Sequence, residues 1–158
     1  HVFEAAREAG VRRMVLASSA QAAVGAMRAG PHPVPVDRRP TPRNHYGLTK
    51  AWAEQMGFMY ADLEHFTGFG VRIGWYPRNR DEAAKLESRG LEDAVLSHDD
   101  AARFFIHAVE AADPPEGFAM LFAASKARGT PPLDLAPAER LIGYVPREQY
   151  PEGLYFDD

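Results

Sequence analysis

The chain has 158 residues, 46% of them apolar, 11% aromatic and 25% charged, which is the composition of an ordinary globular protein with enough apolar residues for a sizeable core. Its net charge of −4, with Arg12-Arg13 and Arg38-Arg39 as the only adjacent basic pairs, argues against nucleic acid and for a small-molecule substrate. The absence of cysteine excludes disulfides, thiolate chemistry and Cys-based zinc sites, and suits a cytoplasmic location; no apolar run approaches the roughly 18 residues of a membrane span.

Val2, Phe3, Ala5 and Ala6 predict a short helix ending at Gly10, which tolerates the left-handed turn that closes a helix. Met14-Val15-Leu16-Ala17 then reads as a buried strand running into Ser18-Ser19, the helix-to-strand step of a parallel sheet. Residues 29–44 hold five prolines and predict a loop without regular structure, in the position where parallel sheets build sites. From Asn44 to His65 the pattern is helical, with Trp52, Met56, Met59, Tyr60 and Leu63 expected on the buried side. Residues 68–74 predict a second strand, whose Gly68, Gly70 and Gly74 read as strand-edge glycines.

The second half is less regular. Arg78 to Gly90 reads as a charged, mobile or helical insertion, and Ala94-Val95-Leu96 as a short strand. Ser97 with Asp100 forms a capping-box pattern before a helix expected to bury Ala101, Phe104, Phe105, Ala108 and Val109. After Pro114-Pro115, Phe118 to Ala123 predicts a strand; a short helix near Pro137 to Ile142 leads into a Pro- and Asp-containing tail. The chemistry-bearing core is Tyr46-Gly47-Leu48-Thr49-Lys50. Side chains four apart on a helix share a face, with Cβ atoms roughly 5–6 Å apart. Tyr is a weak base near neutrality, and drawing its pKa down from about 10 takes roughly 4 kcal/mol. One cation about 4 Å away at an effective dielectric near 20 supplies about that much, so a Tyr/Lys pair makes a tunable proton donor and acceptor. Ser18 or Ser19, at the strand end, is placed to hold a substrate oxygen.

The runs Phe3-Glu4-Ala5-Ala6-Arg7-Glu8-Ala9-Gly10-Val11, Ala17-Ser18-Ser19 and Tyr46-Gly47-Leu48-Thr49-Lys50 together resemble the extended short-chain dehydrogenases, the NAD-dependent epimerase/dehydratase family. Val71-Arg72-Ile73-Gly74 and Ser97-His98-Asp99-Asp100 lean towards uronate dehydrogenase-like sugar oxidoreductases. The resemblance implies an α/β fold: part of a Rossmann-type doubly wound parallel sheet, lacking its N-terminal strands and Gly-rich turn, with a small C-terminal substrate-binding region. It assigns residues 1–75 to the C-terminal half of the dinucleotide-binding domain and 76–158 to a substrate-binding region with interleaved sheet elements.

It further implies Tyr46 as catalytic acid/base, Lys50 lowering its pKa and binding the nicotinamide ribose, and Ser19 orienting the reacting oxygen, with Ser18 as the alternative. Cofactor contacts are expected from Ser18, Tyr46, Lys50 and Ile73, and substrate contacts from Ser19, Ala20, Trp75 and Tyr76; no metal is expected. NAD is favoured over NADP, and a homodimer paired through the long helix is expected of the full-length protein. Ala20-Gln21 and Trp75 stand where the uronate enzymes carry other residues, so the substrate stays open. No G-x-G-x-x-G turn for a pyrophosphate occurs in the sequence, so these residues alone are expected to bind NAD weakly or not at all. A nucleotide-sugar epimerase or dehydratase, and a non-catalytic sensor or scaffold, are the alternative readings.

Overall fold

Short, nearly continuous apolar runs build the sheet. In the computed structural model, which describes residues 1–114 and 117–156, strands β1 (Arg13–Ser19), β2 (Thr67–Ile73) and β3 (Phe118–Ala123) run parallel in the order β1-β2-β3. The register pairs Ser19 with Ile73, and Ile73 with Ala123, so all three strands end level. Around them lie α1 (Val2–Glu8), α2 (Val24–Ala29), α3 (His45–Glu64), α4 (Arg80–Glu87), α5 (His98–Glu110) and α6 (Ala136–Ile142). No helix among the described residues is long and apolar enough to cross a membrane.

Helices cover both faces, as in a doubly wound sheet. On one face Phe69, Val71, Leu121 and Ala123 pack with Phe104 and Ala108 of α5, Ala138 and Ile142 of α6, and Tyr144. On the other, the alternate residues Phe118, Met120 and Phe122 meet Ala26 of α2, the loop residues Val34 and Val36, and Leu133. Long helix α3 lies on this second face. Its Gly57 sits where an added Cβ would lie 2.4 Å from the Phe118 ring, so the absence of a side chain sets how closely α3 approaches the sheet. At the other end, Phe3 of α1 stacks on Tyr60 with ring centroids 5.0 Å apart, and the Tyr60 hydroxyl donates to the Glu4 carboxylate at 2.7 Å.

Several expectations are corrected. The buried side of α3 is Gly47, Ala51, Glu54, Gly57 and Tyr60, whereas Trp52, Met59 and Leu63 are exposed. Gly47 and Gly57 let this side approach the turn after β1 and the Phe118 ring closely, so the helix is seated on it and Trp52, Met59 and Leu63 are left outside. Val109 of α5 is likewise exposed. The predicted strand at Ala94–Leu96 is a 3-10 turn (Glu92–Ala94) followed by one isolated bridge from Val95 to Trp75.

Ser97 caps α5 by accepting from the Asp100 amide at 3.1 Å, but Asp100 does not reciprocate. Its buried carboxylate accepts from the Arg147 and Glu148 amides, both at 3.0 Å, and so fastens the C-terminal segment. Gly68 and Gly70 lie in the central strand, not at an edge. The 3-10 turn Ala20–Ala23 and helix α2 carry too few periodic residues to be predicted. The 78–90 insertion is helical as α4, capped by Asn79. Of the Pro114-Pro115 break and the acidic tail, Pro115, Asp157 and Asp158 lie outside the described residues.

Candidate active site

The long helix begins where its sequence says it can: Asn44 accepts from the Gly47 amide at 2.7 Å, an N-cap that fixes the first turn. The Asn44 amide also donates to the Gln21 side chain at 2.9 Å. Gly47 lets this junction close, because a Cβ there would lie 2.4 Å from the Gln21 carbonyl oxygen. The turn that follows β1 is therefore pressed against the start of α3, which draws Ser19 and Tyr46 to one place. Ser19 caps that turn by accepting from the Gln21 amide at 3.2 Å, leaving its own hydroxyl proton to donate.

Tyr46, Lys50 and Glu54 follow one another at four-residue steps, each of which turns the side chain by about 40° around a helix of 3.6 residues per turn. This drift carries the positions from solvent into the core: Tyr46 is 55% exposed, Lys50 half-buried and Glu54 fully buried. The Lys50 ammonium lies 5.7 Å from the centroid of the Tyr46 ring and donates to the Ala17 carbonyl at 2.8 Å, pinned to the end of β1 with two donors left.

These residues border an open trough of about 1420 Å³ at the carboxyl ends of the strands, where parallel α/β sheets bind ligands. Ser19, Ala20, Tyr46, Ile73, Trp75 and Tyr76 all line it. Lys50 is not part of its lining, but lies behind it beside the Tyr46 ring. Ser18 faces the other way: it is buried, and its hydroxyl donates to Glu54 at 2.6 Å. Strand alternation separates the two serines, one towards the trough and one towards α3.

Sequence reading missed much of the trough wall, including Gln21, Arg28, Arg43, Asn44, Asp93 and Pro132. Asn44 carried a signal, the cap preceding the helix; Gln21, Arg28 and Asp93 come from short helical turns and Arg43 and Pro132 from loops, and none of these carried one. On the far wall the Arg78 guanidinium and backbone amide both bind Glu82, at 2.5 and 2.9 Å, and hold its carboxyl down to about 2. His98 lies between the Pro77 carbonyl (2.8 Å) and the Tyr155 amide (3.0 Å), which accounts for both ring nitrogens. No group of three or more potential metal-binding side chains occurs among the described residues.

The sheet, its flanking helices and the trough define a Rossmann-type α/β unit with a site at the strand ends. No family model matches the chain. It is 30% identical to an L-arabinose 1-dehydrogenase (NAD(P)(+)) of Haloferax volcanii, across 94% of this chain and 63% of the relative. It is 28% identical to a uronate dehydrogenase of Pseudomonas syringae pv. tomato, across 72% of this chain and 38% of the relative.

Among solved structures it superposes on a glucuronic acid dehydrogenase from Chromohalobacter salexigens with a TM-score of 0.73 and 26% identity, over 95% of this chain and 52% of that one. A UDP-galactose 4-epimerase shares the fold at a TM-score of 0.70 and 22% identity, over 94% of this chain and 62% of that one. The homologues and structural neighbours are thus those of the NAD-dependent epimerase/dehydratase family of short-chain dehydrogenases, as the sequence resemblance implied. The chain spans less than two thirds of the length of each of these four proteins.

Proposed function

We propose that this chain supplies the catalytic and substrate-binding portion of an NAD(P)-dependent sugar dehydrogenase, NAD being favoured. The observation that carries this reading is the convergence of Ser19 and Tyr46 on one trough, with Lys50 anchored beside Tyr46 at the end of β1. The nicotinamide cofactor, when bound, accepts or supplies the hydride. Ser19 donates a hydrogen bond to the reacting substrate oxygen, and the Tyr46 hydroxyl oxygen takes the proton during oxidation and returns it during reduction. Lys50 holds positive charge beside the Tyr46 ring and offers its two remaining donors to the nicotinamide ribose. Ile73 flanks the nicotinamide, while Ala20, Trp75 and Tyr76 face the sugar. The Ser18 hydroxyl is committed to Glu54, so its part is to support this set from behind.

These residues fit the nicotinamide end of the cofactor. A pyrophosphate cradle is another matter, since the sequence holds no Gly-rich turn. The outer edge of β1 pairs with no strand among the described residues, and its Met14, Val15 and Leu16 are only half-buried and Ala17 exposed. A parallel strand of this kind is normally covered on both faces. We therefore read residues 1–75 as the later half of a dinucleotide-binding domain and 76–158 as the substrate region, in a protein inactive without the preceding half. The lack of cysteine suits work in a reducing cytoplasm.

The trough lining favours an acidic sugar: Arg28, Arg43, Arg78, Lys85 and Arg89 face only Glu82 and Asp93, in a chain of net charge −4. The test is NADH formation by the full-length protein with glucuronate, galacturonate, L-arabinose and UDP-glucose. Turnover of a free sugar or sugar acid is expected. Its absence from all of them, with cofactor still bound, would favour the sensor or scaffold reading; conversion of UDP-glucose without net NADH would favour an epimerase or dehydratase.

The exposed residues of α3 support a homodimer. Leu48, Trp52, Met59 and Leu63 recur at helical spacing, at 56%, 67%, 43% and 65% exposure, and form one apolar stripe. Sedimentation of the full-length protein is expected to show a dimer that Trp52→Lys with Leu63→Lys converts to monomer. A wild-type monomer at tens of micromolar would overturn this assembly.

A further inference from the structure

A buried ion pair lies directly behind the site. Arg72 on β2 grips Glu54 on α3 through two hydrogen bonds, Nε to Oε1 at 2.9 Å and Nη2 to Oε2 at 2.8 Å. Both side chains are sealed from water, at 2% and 0% exposure. Oε1 also accepts the Ser18 hydroxyl at 2.6 Å, and Arg72 Nη1 donates to the Val36 carbonyl in the proline loop at 3.0 Å. The guanidinium lies 5.7 Å from the Phe122 ring centroid.

The members of this cluster lie on the segments that carry the site residues, and none of them lines the trough. Ser18 precedes Ser19, Arg72 precedes Ile73, and Glu54 follows Lys50 by one helical turn. Val36 belongs to the loop that delivers Asn44 and Tyr46. Four segments that must agree for the site to form thus meet on one carboxylate and one guanidinium.

Stability alone does not account for such a pair, because replacing a buried ion pair with apolar residues is often neutral or stabilising. What an apolar replacement cannot reproduce is direction. A bidentate Arg–carboxylate pair fixes both the axial position and the rotation of α3 against β2. We propose that Glu54 and Arg72 are positioning residues that set the geometry of Ser19, Tyr46 and Lys50 through this lock, an inference that rests on the dehydrogenase reading above.

The paired variant Glu54→Leu/Arg72→Met in the full-length protein removes both charges together and strands neither. It is expected to melt at or above the parent temperature, with substrate KM within about threefold but kcat lowered at least ~10-fold, as small misplacements of reacting groups do. Amide hydrogen exchange, read without substrate or cofactor, is expected to quicken in residues 17–21 and 44–50 while α5 stays protected. A well-folded paired variant with parental kcat and parental exchange overturns the proposal.

Should the paired variant fail to fold, Ser18→Ala decides, since it leaves the ion pair whole and removes one strut. Faster exchange in 17–21 supports the lock, and unchanged exchange overturns it. Because exchange does not depend on turnover, a parent protein without dehydrogenase activity would sink the proposed function while leaving this readout intact.

Discussion

If the proposed function holds, replacing Tyr46 with Phe is expected to lower kcat of the full-length protein by about 10²- to 10⁴-fold, the usual worth of a positioned acid/base group. The substitution removes one oxygen from a side chain that is 55% exposed at the trough. Its ring and its place in the first turn of α3 are kept, because the cap that holds that turn runs from Asn44 to the Gly47 amide. Stability should therefore stay near the parent value, so the loss falls on turnover and not on folding. Steady-state kinetics with a cofactor titration check this. A Tyr46→Phe enzyme turning over within tenfold of the parent would remove Tyr46 from the chemistry and, with it, the main support for the proposed function.

The second large effect concerns stability. Phe104 is fully buried at the centre of the core shared by α5, α6 and the sheet, with its ring edge-on to Tyr144 at 4.7 Å and to Phe105 at 5.7 Å. Tyr144 is itself pinned, since its hydroxyl donates to the Ala124 carbonyl at 2.9 Å beyond the end of β3. The site cannot collapse easily around a deletion, so Phe104→Ala is expected to cost about 3–5 kcal/mol. Urea unfolding should show a lower midpoint at an unchanged slope. A loss under about 1 kcal/mol would mean that this core is far looser than its geometry implies.

Much of the fold was legible. The apolar run at Phe118 to Ala123 is β3, Met14 to Ala17 forms the middle of β1, and the Asn44-to-His65 pattern is α3 together with its two caps. Local signals carried these elements: short continuous apolar runs, helical spacing and a capping side chain. The face of α3 that is buried was not legible. Trp52, Met59 and Leu63 looked like core by hydrophobicity, but the side of α3 that is buried carries Gly47 against the turn after β1, Gly57 against the Phe118 ring, and Ala51, Glu54 and Tyr60.

The feature singled out in the sequence, Tyr46 to Lys50, was determined by the sequence itself, because helical spacing alone places the two side chains together. The choice between the adjacent serines belongs to the tertiary structure. Ser19 reaches the trough and Ser18 the core because the register of β1 on β2 and the packing of α3 orient the strand, and no local pattern encodes that. The same holds for Glu54. Four residues after Lys50 it reads as one more surface charge on a helix. Only the closure of α3 onto β2 buries it against Arg72, since a carboxylate can leave water there once a guanidinium from a distant strand meets it with two hydrogen bonds.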